Sequence, residues 1–142
     1  RRQSSRLQAV APRNTQTTMD ERWWFDHIPG YTRSVRNFRN LVDAETDQRF
    51  HEIITSISAL DLLTADDPPI HMTYRMAPND PVPDDPKRAQ GWKIHHVAFG
   101  LALEARAKAL GVESYVDYPG ARTPYDSWVP FLINQLQSKP TR

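Results

Sequence analysis

The chain contains no cysteine among its 142 residues, so disulfides, thiolate metal sites and a cysteine nucleophile are all excluded. Nothing about the redox compartment follows. No stretch approaches the roughly 18 consecutive apolar residues that a membrane helix needs, and no apolar segment follows Arg1-Arg2 as it would in a signal peptide. The expectation is a soluble chain of unassigned location. Charge of one sign is missing too: 18 basic residues face 17 acidic ones, with no basic block beyond the opening pair, which leaves no nucleic-acid footprint and no membrane-surface patch. A small molecule or a protein is the expected partner. Glycine is scarce at five, none of them framing a serine as G-x-S-x-G, and no two histidines stand at the H-x-x-x-H spacing of a zinc site. We expect neither a metal nor another cofactor. The chain opens on arginine rather than methionine, which suggests a processed product or a fragment.

What is present are twelve prolines and a clear alternation of patterns. The length fits a single domain. Leu7 to Val10 reads as a short strand halted by Pro12, and Asn14 to Tyr31 as a loop pinned by Trp23, Trp24 and Phe25 that ends on the Pro29-Gly30 turn. The three aromatics fit either a core staple or the wall of an apolar pocket. Asp43 is placed to cap a helix whose apolar stripe is Phe50, Ile53, Ile54, Ile57 and Leu60, terminated by the prolines of Asp66 to Pro69.

Ile70, Met72, Tyr74 and Met76 alternate with His71, Thr73 and Arg75, the period of a strand with His71 on its polar side. A turn dense in proline and aspartate follows, from Asn79 to Pro86. Ile94 to Leu110 is the strongest helical pattern: Ile94, Val97, Ala98, Leu101, Ala102, Ala105 and Ala109 share a face, Glu104 and Lys108 pair at i,i+4, and Gly111 stops it. Ser114 to Tyr118 then reads as a strand, Pro119-Gly120 as its exit turn, and Ser127 to Gln137 as a last helix burying Trp128, Phe131, Leu132 and Leu136, with Pro130 in its first turn. Strand, helix, strand, helix implies an α/β fold with a parallel sheet and right-handed crossovers.

In such a sheet catalytic groups gather at the carboxyl ends of strands, here the segment around Asp80 and the segment Tyr118 to Trp128. Asp80 admits two readings, a turn residue that accepts its own backbone N–H or the acid of a Ser-His-Asp triad. His95 and His96 are adjacent, so on a helix they point about 100° apart and cannot act on one ligand. His27 and His51 are isolated, and Asp84-Asp85 read as a solvated turn.

Asp80-Pro81-Val82-Pro83, Leu110-Gly111-Val112 and Tyr118-Pro119-Gly120-Ala121 together resemble the bacterial esterases and lipases of the α/β-hydrolase fold, close to the prolyl oligopeptidase-like branch. The resemblance covers the chain from Ile70 onward, and the region before it fits the lid those proteins insert ahead of the acid-bearing strand. It implies a single incomplete domain, with 1–69 as strand, aromatic loop and lid-like region and 70–142 as the C-terminal strand-helix-strand-helix unit. It further implies Asp80 at the acid position, and an ester as substrate of the complete protein. The family's histidine would fall at Thr123, and the nucleophile elbow is absent, so the chain is expected not to hydrolyse esters alone. The alternative is a non-catalytic binding or interaction module, its open sheet edge covered by a second copy or another partner.

Overall fold

In a computed structural model of the chain, the described residues are 7–34 and 48–138. The elements are α1 (Glu21–His27), α2 (Gln48–Ser56), α3 (Ala59–Leu62), β1 (Ile70–Thr73), α4 (Pro86–Ile94), α5 (Ala98–Leu110), β2 (Ser114–Asp117) and α6 (Trp128–Gln137). The class is mixed α/β. No helix among the described residues is long and apolar enough to cross a membrane.

β1 and β2 pair in parallel, Ile70 opposite Ser114 and Thr73 opposite Asp117. On the far side of β1 runs the segment that the sequence marks as a strand ending at Pro12. It makes parallel bridges at Val10–Ile70 and Arg13–Thr73, held by His71 N–H to Val10 C=O (3.0 Å) and Thr73 N–H to Pro12 C=O (3.1 Å). β1 is therefore central. Strand side chains alternate between faces, and each face has its own helix. Ile70, Met72 and Val116 join the main core with Phe99, Leu103 and Ala107 of α5, while His71 and Tyr115 meet Phe131 of α6.

The stretch expected as an aromatic loop contains α1, which Asp20 caps by accepting the Arg22 N–H. Trp24 is fully buried, its indole N–H donating to Thr18 C=O (2.9 Å), and Tyr31 donates to Glu21 (2.7 Å). Further bonds tie this segment down: Thr17 Oγ1 donates to Phe99 C=O (2.8 Å) and Tyr74 Oη to Thr15 C=O (2.9 Å). Of the two readings of the aromatic cluster, core staple is the one the packing bears out for Trp24.

Several expected elements are corrected. The helix expected through Phe50 and Leu60 is two helices, because Ser58 turns its hydroxyl onto Ile54 C=O and accepts the Met19 N–H. Of its stripe only Ile54 is buried, while Ile53 and Ile57 are exposed; the Asp43 cap lies outside the described residues. The strand expected to reach Met76 ends at Thr73, although the buried set Ile70, Met72, Tyr74 and Met76 is as expected.

The helix expected from Ile94 to Leu110 starts only at Ala98, with Ile94 instead ending α4, which occupies ground not read as helical. Pro86 stands in its first turn, where a missing N–H costs nothing, and Asp85 accepts the Arg88 N–H as its cap (2.8 Å). α5 buries Phe99, Gly100, Leu103 and Ala107, whereas Ala105 and Ala109 of the expected face are exposed. A helix with apolar residues all round lets volume decide, and Phe99 and Leu103 carry the most of it. The Glu104–Lys108 pair (3.0 Å) and the left-handed Gly111 (φ 75°) are as expected. In α6, Phe131 is buried but Trp128 and Leu136 are exposed, because the helix rests on the sheet along one narrow line.

Candidate functional site

Both loops singled out in the sequence leave the carboxyl ends of adjacent parallel strands. After β1 the ladder gains one more rung, Tyr74 N–H to Asp117 C=O (2.8 Å), before the chain turns away. Asp80 closes that turn: Ala77 N–H donates to Asp80 Oδ2 (2.8 Å), and Asp80 N–H donates back to Ala77 C=O (3.2 Å). The side chain is exposed, and the turn-residue reading of Asp80 describes what its carboxylate does.

The histidine nearest in effect to Asp80 is His96. It is 2% exposed and its ring packs on Trp92 with centroids 4.4 Å apart and the planes tilted by 56°. Burial holds its pKa below the ordinary histidine value, with the charge of Asp80 opposing that shift. His96 Nδ1 accepts the Ala98 N–H (3.2 Å) at the start of α5, which leaves the proton on Nε2, and Nε2 has no partner. A triad base needs the opposite arrangement, Nδ1–H on the acid and a free lone pair on Nε2. His96 is thus a helix-capping residue rather than a base, and the exposed His95 bonds Asn14 C=O instead (2.6 Å).

The second loop turns at Gly120 (φ 87°), with Ala121 N–H donating to Tyr118 C=O (2.9 Å), as its Pro-Gly pair predicts. Thr123 Oγ1 donates to Tyr125 C=O (2.6 Å), so the position expected to hold a base holds a hydroxyl donor. Tyr125 packs on Tyr115 and Phe131, each at 5.4 Å, and accepts the Asn134 side-chain N–H (2.8 Å). Ser56 and Ser58 spend their hydroxyls on helical carbonyls. No described serine is bonded to a histidine.

Beneath this loop lies a group that sequence reasoning misplaced. His71 was expected on a polar strand face, but it is fully buried with neither ring nitrogen partnered, ringed by Phe131 (5.4 Å), Tyr115 (6.3 Å) and Tyr125 (6.5 Å). Burial keeps it neutral by lowering its pKa, against the pull of Asp117. The signal available in the sequence was the parallel sheet itself, since helices on both faces leave a strand no polar side.

The two buried histidines contribute to the acid behaviour of the protein. Because their folded-state pKa values lie below the ordinary value, the unfolded chain binds protons that the folded chain refuses. Stability is therefore present above about pH 6.5 and falls as the pH drops through it, by up to about 1.4 kcal/mol per pH unit for each histidine. Urea unfolding at about pH 7.5 and about pH 5.5 measures the slope. His71→Phe should flatten it, and an unchanged slope would show that His71 titrates normally in the fold.

No family model, curated protein or solved structure matches the chain.

Proposed function

We propose that the chain is the C-terminal segment of an α/β-hydrolase-like esterase or lipase scaffold, with Asp80 at the acid position, and that it is not catalytically competent alone. The observation that carries this reading is the sheet order. Three parallel segments run side by side, the acid-bearing loop leaves the central one, and the Tyr118-Pro119-Gly120-Ala121 turn leaves its neighbour. Ligands in such sheets gather at these carboxyl ends.

The outer edge of the segment Val10 to Arg13 favours the same reading. Its inner side bonds β1, while Ala9 and Ala11 make no backbone hydrogen bond among the described residues, as expected of an edge that a further strand would complete. Beside it lies an apolar groove of about 450 Å³ bounded by Leu7, Val10, Leu62, Leu63, Ile70 and Leu103. The occupant that fits is the preceding strand of a hydrolase sheet, donated by the rest of the same scaffold. The interaction-module alternative would place a second copy there, and sedimentation of the purified chain as a dimer would favour it.

Absence of chemistry is tested directly. The purified chain should release p-nitrophenol from a short ester no faster than buffer, and Asp80→Asn should change nothing. Turnover that disappears in Asp80→Asn would overturn the claim that the chain is incompetent alone.

A further inference from the structure

A second cavity lies between the turn that follows α1 and one face of α4, with Pro86, the last residue of the turn after β1, in its lining. Its volume is about 410 Å³, within the range of small-molecule pockets. On one side it is lined by Tyr31, Thr32, Arg33 and Ser34, and on the other by Gln90 and Lys93, which stand three apart and so share a face of α4. Among the described residues its lining contains two cations and no acidic residue. Among the described residues neither Arg33 nor Lys93 has a carboxylate partner, unlike Arg22 and Lys108, which are both paired.

The pocket's wall is built closely. Gly30 adopts a left-handed conformation (φ 66°), and a Cβ there would stand 3.3 Å from Lys93 Cε and 3.6 Å from Lys93 Nζ. The half-buried lysine stem thus lies across the glycine, which limits where its ammonium can go. The Ser34 hydroxyl is buried without a hydrogen-bond partner, and Thr32 and Gln90 add neutral donors. Unpaired cations and uncommitted donors around one concavity match the needs of an oxyanion, where a planar guanidinium and a point-charge ammonium bind together.

We propose that this pocket binds a small-molecule oxyanion, a phosphate ester or a carboxylate, through Arg33 and Lys93, with Ser34, Thr32 and Gln90 as neutral donors. The proposal does not rest on the hydrolase reading, since it uses neither Asp80 nor the segment Tyr118 to Trp128.

Amide NMR of the whole chain tests it, with inorganic phosphate and acetate as probes and sodium chloride at matched ionic strength as the control. Saturable shifts are expected at Thr32, Arg33, Ser34 and Gln90 with one or both probes, and the stronger probe identifies the class. Arg33→Gln and Lys93→Gln keep the stems and remove the charges; each should weaken binding about tenfold. Lys93→Arg should retain binding, and Lys87→Gln, outside the pocket, should leave it unchanged. Shifts no different from those in sodium chloride, or equal affinity in the Arg33→Gln/Lys93→Gln double variant, would overturn the proposal.

Discussion

Gly100→Ala should destabilise the protein by about 2 to 3 kcal/mol, although the same exchange inside an unconstrained helix stabilises by about 1 kcal/mol. A methyl group at position 100 would stand 2.3 Å from Tyr74 Cε2 and 2.9 Å from Tyr74 Cζ. The ring cannot step aside cheaply. It is buried in the main core, and its hydroxyl donates to Thr15 C=O at 2.9 Å, so displacing it also strains the bond that ties the N-terminal segment to the residue following β1. Gly91 in α4 supplies the comparison, because a Cβ there meets nothing within 4 Å. Gly91→Ala should raise stability by about 0.5 to 1 kcal/mol. Urea unfolding of both variants decides the point, and a double-mutant cycle with Tyr74→Leu should recover most of the Gly100→Ala loss. Equal behaviour of the two glycines would show that α5 does not approach Tyr74 as described.

Phe99→Ala should cost about 3 to 5 kcal/mol, a large part of the 5 to 15 kcal/mol typical of a whole domain. Phe99 is fully buried at the first turn of α5, with its ring 5.1 Å from Trp24 and 5.4 Å from Trp23. Removing it opens a cavity between α1 and α5 that neither indole can fill, since Trp24 is fixed by its bond to Thr18. The exposed Ile133 of α6 serves as the control, and Ile133→Ala should lie within about 0.5 kcal/mol of the unaltered chain. A loss at Phe99 no larger than at Ile133 would contradict the packing of α1 on α5.

The alternation around Met72 announced β1 because one of its faces joins a continuous apolar core, and glycine and proline marked the turns at Pro29-Gly30, Gly111 and Pro119-Gly120 through backbone constraints that act locally. α4 and α1 were hidden for the opposite reason. Their starts are set by Asp85 and Asp20, single capping carboxylates within stretches otherwise read as loop, and their sequences lack a sustained apolar stripe. The break at His95–Val97 is likewise tertiary. Local pattern favours a continuous helix, while Gln16 and His95 bond this region to the N-terminal segment and His96 caps the next helix.

The candidate site was legible only as a location. Asp80 stands at a strand's carboxyl end as its proline-rich surroundings indicate, but which histidine approaches it depends on how α4 and α5 meet, a long-range property that residue spacing does not encode. His71 was invisible for a similar reason: a strand's second face is polar or buried according to what packs on it, and here that is Phe131 from α6. The pocket at Arg33 and Lys93 joins residues sixty positions apart and left no trace in the pattern.

The measurement that bears most directly on the central claim is ester hydrolysis by the complete reading frame that contains this chain, compared with its Asp80→Asn variant. A hydrolase scaffold with Asp80 at the acid position, and a base from elsewhere in that scaffold in place of Thr123, predicts a G-x-S-x-G elbow upstream and turnover that falls roughly 10³- to 10⁴-fold in Asp80→Asn, with unchanged unfolding midpoints. No turnover by the complete product, or turnover indifferent to Asp80→Asn, would contradict it.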